Sequence, residues 1–146
     1  MPTKLSAYFT FEELTVSQTA VRKGIRNVPG PDELSNLTDL AKKLDEVRRL
    51  LGRPVIISSG FRCLEVNRAI GAKDNSSHVK GLAADFVCPG FGSAMDVFNK
   101  IKVSGINFDQ LIAENTSKNG WVHLGIGPNM RRECLIYEAG IYKPVK

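Results

Sequence analysis

Two histidines and an aspartate are the residues with which this sequence could do chemistry. His78 stands in Ser76-Ser77-His78-Val79-Lys80-Gly81-Leu82-Ala83-Ala84-Asp85, and the chain's other histidine, His123, sits in Trp121-Val122-His123-Leu124. Neutral imidazole and carboxylate are ligands of zinc, and three such ligands leave a fourth position for water or substrate. His78, Asp85 and His123 supply that set. The spacing alone also suits a loop histidine and a solvated aspartate. Asp85, however, falls among Ala83, Ala84, Phe86 and Val87, where an unpaired carboxylate is costly and calls for a cation, a metal or several donors.

The elements that must position these residues follow from local pattern. Pro54-Val55-Ile56-Ile57-Ser58 is a β-branched run between Pro and Gly and reads as a buried strand. It leads into Ser58-Ser59-Gly60-Phe61-Arg62. Arg62 there either lays its stem along Phe61 at the surface or aims its planar fork at a substrate carboxylate or carbonyl. Residues 65–70 read as a short helix and residues 71–76 as the polar loop that delivers His78, with residues 83–87 as the next strand. Residues 108–114 and 121–123 read as two strands of a hairpin, which would bring Glu114 and His123 to the same end of the sheet. Glu114 is then either the base for a zinc-activated water or a solvated carboxylate at the loop edge.

Helices complete the frame. Thr10 followed by Glu13 is a capping-box arrangement before a short N-terminal helix, and the prolines of residues 26–31 make a loop. From Asp32 on, Leu34, Leu37, Leu40, Ala41, Leu44, Val47 and Leu51 share one helix face, and Gly52 supplies the stop. That stripe reads as a core face. Residues 93–103 give a second amphipathic helix with Ser93 as N-cap.

A chain of 146 residues with 42% hydrophobic and 24% charged residues is expected to form one domain, residues 1–146. The net charge of +5 allows contact with an anionic polymer such as nucleic acid or a bacterial wall. Basic doublets are scattered and no aromatic-basic interleaving accompanies them, so no nucleic-acid partner is expected. The three cysteines, Cys63, Cys88 and Cys134, show no CxxC spacing and read as reduced thiols. No run of apolar residues is long enough to insert in a membrane, and Met1-Pro2-Thr3-Lys4 is not followed by the apolar stretch of a signal peptide. The expectation is synthesis in the cytoplasm, with any action outside the cell requiring another route of release.

Several pieces of the chain together resemble a known family. Ser58-Ser59-Gly60-Phe61-Arg62, Asn67, Ser76-x-His78-x-x-Gly81-x-Ala83-x-Asp85, Phe108-Asp109-Gln110-Leu111-Ile112-x-Glu114 and Trp121-Val122-His123 look like the zinc-dependent D-alanyl-D-alanine carboxypeptidase group. That group includes vancomycin-resistance dipeptidases, several phage endolysins and the zinc fold of Hedgehog signalling domains. Ser17-x-Thr19-Ala20, Gly24-Ile25-x-Asn27 and Asn36-Leu37 are similar to its phage and prophage branch, so the likeness covers residues 5–125. The resemblance implies an α+β fold: a small antiparallel sheet with flanking helices and a zinc site in a cleft over the sheet. It implies Zn2+ held by His78, Asp85 and His123, Arg62 near the scissile carbonyl, and Ser76 and Gln110 as substrate contacts. Glu114 takes the place of the catalytic carboxylate, since the position three before the last histidine, acidic in many relatives, is Gly120 here. The implied activity is zinc-dependent hydrolysis of D-amino-acid-containing peptides of bacterial peptidoglycan by a monomer, as in a phage endolysin. Hedgehog-like domains keep the metal without peptidase action, so a non-catalytic wall-binding or phage structural module is the alternative.

Overall fold

The computed structural model describes residues 3–146. In chain order these form α1 (Phe11–Thr15), α2 (Gln18–Lys23), α3 (Pro31–Leu51), β1 (Ile56–Ser59), α4 (Leu64–Ala69), a 3-10 turn (Ser77–Lys80), β2 (Ala83–Val87), α5 (Ala94–Lys102), β3 (Gln110–Glu114), β4 (Trp121–Gly125), β5 (Glu133–Glu138) and β6 (Ile141–Pro144). Helix α3 begins where Pro31 presets the first turn and the Gly30 N–H donates to Glu33 Oε1 at 3.1 Å, and it stops where Gly52 takes a left-handed φ of 68°. Leu37, Leu40, Ala41, Leu44 and Val47 on its inner face are fully buried. Each buried leucine contributes about 1.5–3 kcal/mol, so this stripe is a main source of stability. Leu34, on the same expected face, remains exposed.

The six strands form one sheet in the order β1-β2-β4-β3-β5-β6. Side chains alternate across it, and the two faces differ sharply in chemistry. One face carries Ala84, Phe86, Leu111, Ala113, Val122 and Leu124, all buried in the core shared with α3 and α5. The other face carries Asp85, His123, Ile112 and Glu114, since Asp85 pairs with His123, His123 with Ile112, and Glu114 with Trp121. One face therefore holds the fold together and the opposite face holds the polar groups.

The sheet is mixed, which corrects the antiparallel expectation: β3 and β5 run parallel, with Gln110 beside Glu133 and Glu114 beside Tyr137. The reason is the path after β4. The chain leaves β4 next to the start of β3, crosses that start, and enters β5 on the far side of β3 in β3's own direction. Asp109 secures the crossing, accepting from the Arg131 backbone N–H at 3.1 Å and from Arg131 Nε at 2.7 Å. The Arg132 and Glu133 N–H groups donate to the carbonyls of Phe108 and Asp109. At the N-terminus, the buried Asp45 carboxylate of α3 accepts from Ser6 Oγ and from the Ala7 and Tyr8 N–H groups, which fastens the first residues to the core. No helix among the described residues is long and apolar enough to cross a membrane, and Cys63, Cys88 and Cys134 are free thiols.

Candidate metal centre

Strand pairing brings Asp85 and His123 side by side, and the 3-10 turn swings His78 over them. Asp85 Oδ1 lies 2.9 Å from His123 Nδ1 and 3.4 Å from His78 Nε2. Ligand atoms from the three residues all fall within 4.8 Å of one another. His78 is only 3% exposed, and its orientation is set from behind. Its Nδ1 lies 2.8 Å from the Gly60 carbonyl and donates to it, which turns Nε2 toward the Asp85 carboxylate. A ring nitrogen facing a carboxylate oxygen is an arrangement that a proton or a cation between them satisfies.

Gly60, which accepts that bond, has no room for a side chain: a Cβ there would meet the Leu14 carbonyl oxygen at 2.3 Å. The approach is held because the Phe61 N–H donates to the same oxygen at 2.7 Å. Asn27 ties the loop from a second side, donating to the Thr15 and Phe61 carbonyls and accepting from the Cys63 N–H. The turn bearing His78 is closed by Gly81 at a φ of 74°. A Cβ at that glycine would lie 2.6 Å from the Glu33 carbonyl oxygen of α3. The glycines at 60 and 81 are thus contact points between the site loops and the helices.

Arg62 stands at one side of the group. Its Nε donates to Asn67 Oδ1 at 3.1 Å, Nη1 to Ser59 Oγ at 3.1 Å and Nη2 to Ser76 Oγ at 3.5 Å. All three acceptors are neutral. Burial pushes the guanidinium below its ordinary pKa, while the charges of Asp85 and Glu114 pull it back up. Ser76 also accepts from the His78 N–H, so its oxygen organises both Arg62 and the turn. Asn67, fully buried, donates onward to the Lys73 carbonyl at 2.7 Å. A groove of about 390 Å3 opens beside Arg62, lined by Ser17, Thr19, Arg22 and Ser59 and by no acidic residue.

Glu114 stands at the other side. Burial raises its pKa, reinforced by the charge of Asp85, while His123, the Trp121 indole N–H and Arg62 act in the opposite direction. That indole N–H is buried and has no partner in strict hydrogen-bond geometry among the described residues, although it adjoins Glu114. Burial pushes His123 toward neutrality, but the Asp85 hydrogen bond and charge, with Glu114, outweigh it and raise its pKa. Asp85 is also desolvated, an effect that the two histidines overcome, so its carboxyl is held well below the usual range.

A family model described as Peptidase M15 matches residues 7–125. The chain belongs to the peptidase M15 family. No curated protein matches it. M15 peptidases are zinc-dependent, and two imidazoles with one carboxylate, converging as described, are a donor set of the kind a catalytic zinc takes. The residues present therefore fit a metal ion.

The structure brings together His78, Asp85, His123, Arg62, Ser76 and Glu114. It leaves Gln110 apart. That residue shares the polar face but pairs with Gly125, two residues along β3 from Ile112, and its amide donates to Glu133 Oε1 at 2.8 Å. Ser59, Asn67 and Trp121 join the site without having been assigned a part from the sequence. Ser59 and Asn67 stood within the quoted pattern, and Trp121 follows from hairpin register once Glu114 is placed. The M15 position occupied by Gly120 also has a steric explanation. A Cβ there would lie 2.4 Å from the Glu114 carbonyl oxygen and 2.7 Å from that of Asn115.

Proposed function

We propose that this M15 protein is a zinc metallopeptidase that hydrolyses D-amino-acid-containing peptide bonds of bacterial peptidoglycan, with D,D-carboxypeptidase or endopeptidase action. The observation that carries the reading is the convergence of His78, Asp85 and His123 between half-buried Arg62 and half-buried Glu114. His78 Nε2, Asp85 and His123 Nδ1 would hold the ion. A zinc ion in such a set supplies a Lewis acid for the amide carbonyl and a water made acidic enough to attack it.

The chain's own residues do the rest. Glu114, kept from full solvation beside Trp121, takes the proton of the attacking water and returns it to the leaving amine. Arg62 offers N–H donors to the developing oxyanion or to a substrate carboxylate, and Asn67, Ser59 and Ser76 hold its fork in place. The groove beside Arg62 gives a carboxylate-bearing peptide room without a competing acid. The net charge of +5 favours approach to an anionic wall polymer.

The test has two stages. Elemental mass spectrometry of untagged protein should find about one zinc per chain, lost in His78→Ala. The zinc-loaded protein should then release new amines from peptidoglycan. No metal after zinc addition at neutral pH would remove the reading, and zinc held without amine release over many hours would leave a wall-binding module instead.

A further inference from the structure

The last two strands lie beyond the M15 match, which ends at residue 125. They nevertheless complete the face that carries the site. Glu114 of β3 is in register with Tyr137 of β5, and Tyr137 with Tyr142 of β6. Ile136 and Cys134, the alternate residues of β5, pack on the core, so Tyr137 points the other way, to the side of Glu114. The two tyrosine rings are in contact, with centroids 4.4 Å apart and planes tilted by 46°. Tyr142 is 55% exposed. Its phenol is raised in pKa by partial burial and then by the charges of Glu114, Tyr137 and Asp85, which places the ring within the field of the site.

Two rings in contact on the one polar face of the sheet, Tyr137 half-buried and Tyr142 exposed, present apolar area at low entropic cost. Adjacent strands are about 4.8 Å apart, so Tyr137 and Tyr142 follow Glu114 at one and two strand spacings along the same face. Arg62 and its groove lie at the opposite edge of the sheet, beside β1. We infer that Tyr137 and Tyr142 form an aromatic subsite, on the side of Glu114 away from Arg62, that receives the aliphatic stem of a substrate residue on that side of the cut bond, such as the lysine before a D-alanyl-D-alanine end. This rests on the peptidase reading above and extends it: the site grips peptide on both sides of the reacting centre, one side by charge and the other by ring faces.

The probe is the tripeptide lysyl-D-alanyl-D-alanine, titrated calorimetrically into the zinc-loaded full chain carrying Glu114→Gln so that turnover is blocked. Adding Tyr142→Ala should weaken Kd about tenfold, the scale of a lost aromatic contact, whereas Tyr142→Phe should stay within about twofold. A purely structural ring pair would lower Tm and leave Kd unmoved. The inference is overturned by an unchanged Kd in Tyr142→Ala, by a loss in Tyr142→Phe as large as in Tyr142→Ala, by no binding at millimolar peptide, or by equal affinity for a wall disaccharide without peptide. Should Tyr142→Ala fail to fold, Tyr142→Thr keeps the strand propensity and reads the same loss. Cleavage of the same tripeptide by the zinc-loaded wild-type chain is scored separately, so failure of the subsite and failure of the peptidase reading give different results.

Discussion

Asn67→Ala is a perturbation whose size follows from the structure without reference to catalysis. The side chain is fully buried and makes two bonds: its Oδ1 accepts from Arg62 Nε at 3.1 Å, and its Nδ2 donates to the Lys73 carbonyl at 2.7 Å. Truncation leaves a guanidinium N–H without a partner and leaves the Lys73 carbonyl with the Ser76 N–H as its one donor. A hydrogen bond to a charged group contributes about 1.5–3 kcal/mol and a neutral one about 1 kcal/mol. With Arg62 only partly buried, the lower part of the first range applies, and the sum is about 3 kcal/mol. For a chain of this size each kcal/mol shifts Tm by roughly 2–4 °C, so a fall of roughly 6–12 °C is expected. Urea unfolding followed by circular dichroism measures the loss directly through the midpoint at constant slope. Asn67→Asp is the informative companion: it keeps an acceptor for Arg62 but turns an oxygen toward the Lys73 carbonyl, so it should recover only part of the loss. A loss below about 1 kcal/mol in Asn67→Ala would refute the reasoning, because it would mean that water replaces both bonds and that Arg62 is not held from behind.

Three further expectations concern other parts of the chain. Glu114→Gln should retain zinc, read by elemental analysis, while amine release falls about a hundredfold or more, the scale of a lost general base; unchanged release would take Glu114 out of the mechanism. Gly120→Ala should be destabilised in thermal unfolding, since its Cβ would meet two backbone oxygens within 2.7 Å, and a wild-type Tm in that variant would show that the loop yields freely. Asp109, whose carboxyl is lowered chiefly by its hydrogen bond from Arg131 despite desolvation, should contribute stability above its unfolded pKa of about 3.9 and lose it as pH falls through the folded value. Unfolding curves of wild type and Asp109→Asn should therefore differ at neutral pH and draw together under acid; a gap that is constant with pH would assign Asp109 no ionic part.

Much of the site was legible because its residues are constrained one at a time by local chemistry. Asp85 inside an apolar strand demanded a partner, His78 followed a polar loop, and the Phe108 to Glu114 and Trp121 to His123 runs predicted the hairpin that the structure shows. The Thr10 capping box, the leucine stripe of α3 and its stop at Gly52 were equally local, since each depends on spacing within a few turns. Residues 126–146 carried no comparable signal. Strands β5 and β6 are half-buried or exposed throughout, without the clean alternation that marks a strand with one buried face.

Residue types and local spacing supply the inventory: an N2O donor set, an arginine after a β-branched strand and a glutamate at a hairpin end. How those groups meet is a matter of the folded chain. Sheet register is a long-range property, so it took the pairing of β2 with β4 to set Asp85 against His123, and the crossing from β4 to β5 to place Tyr137 beside Glu114. Close packing decided the glycines, since nothing local distinguishes Gly60 or Gly120 until a carbonyl from elsewhere occupies the space of a side chain. Asn67 and Ser59 likewise acquired their part only when folding brought the Arg62 fork within reach, because a half-buried guanidinium needs acceptors for the N–H groups that water does not reach and sequence distance does not show which ones it will find.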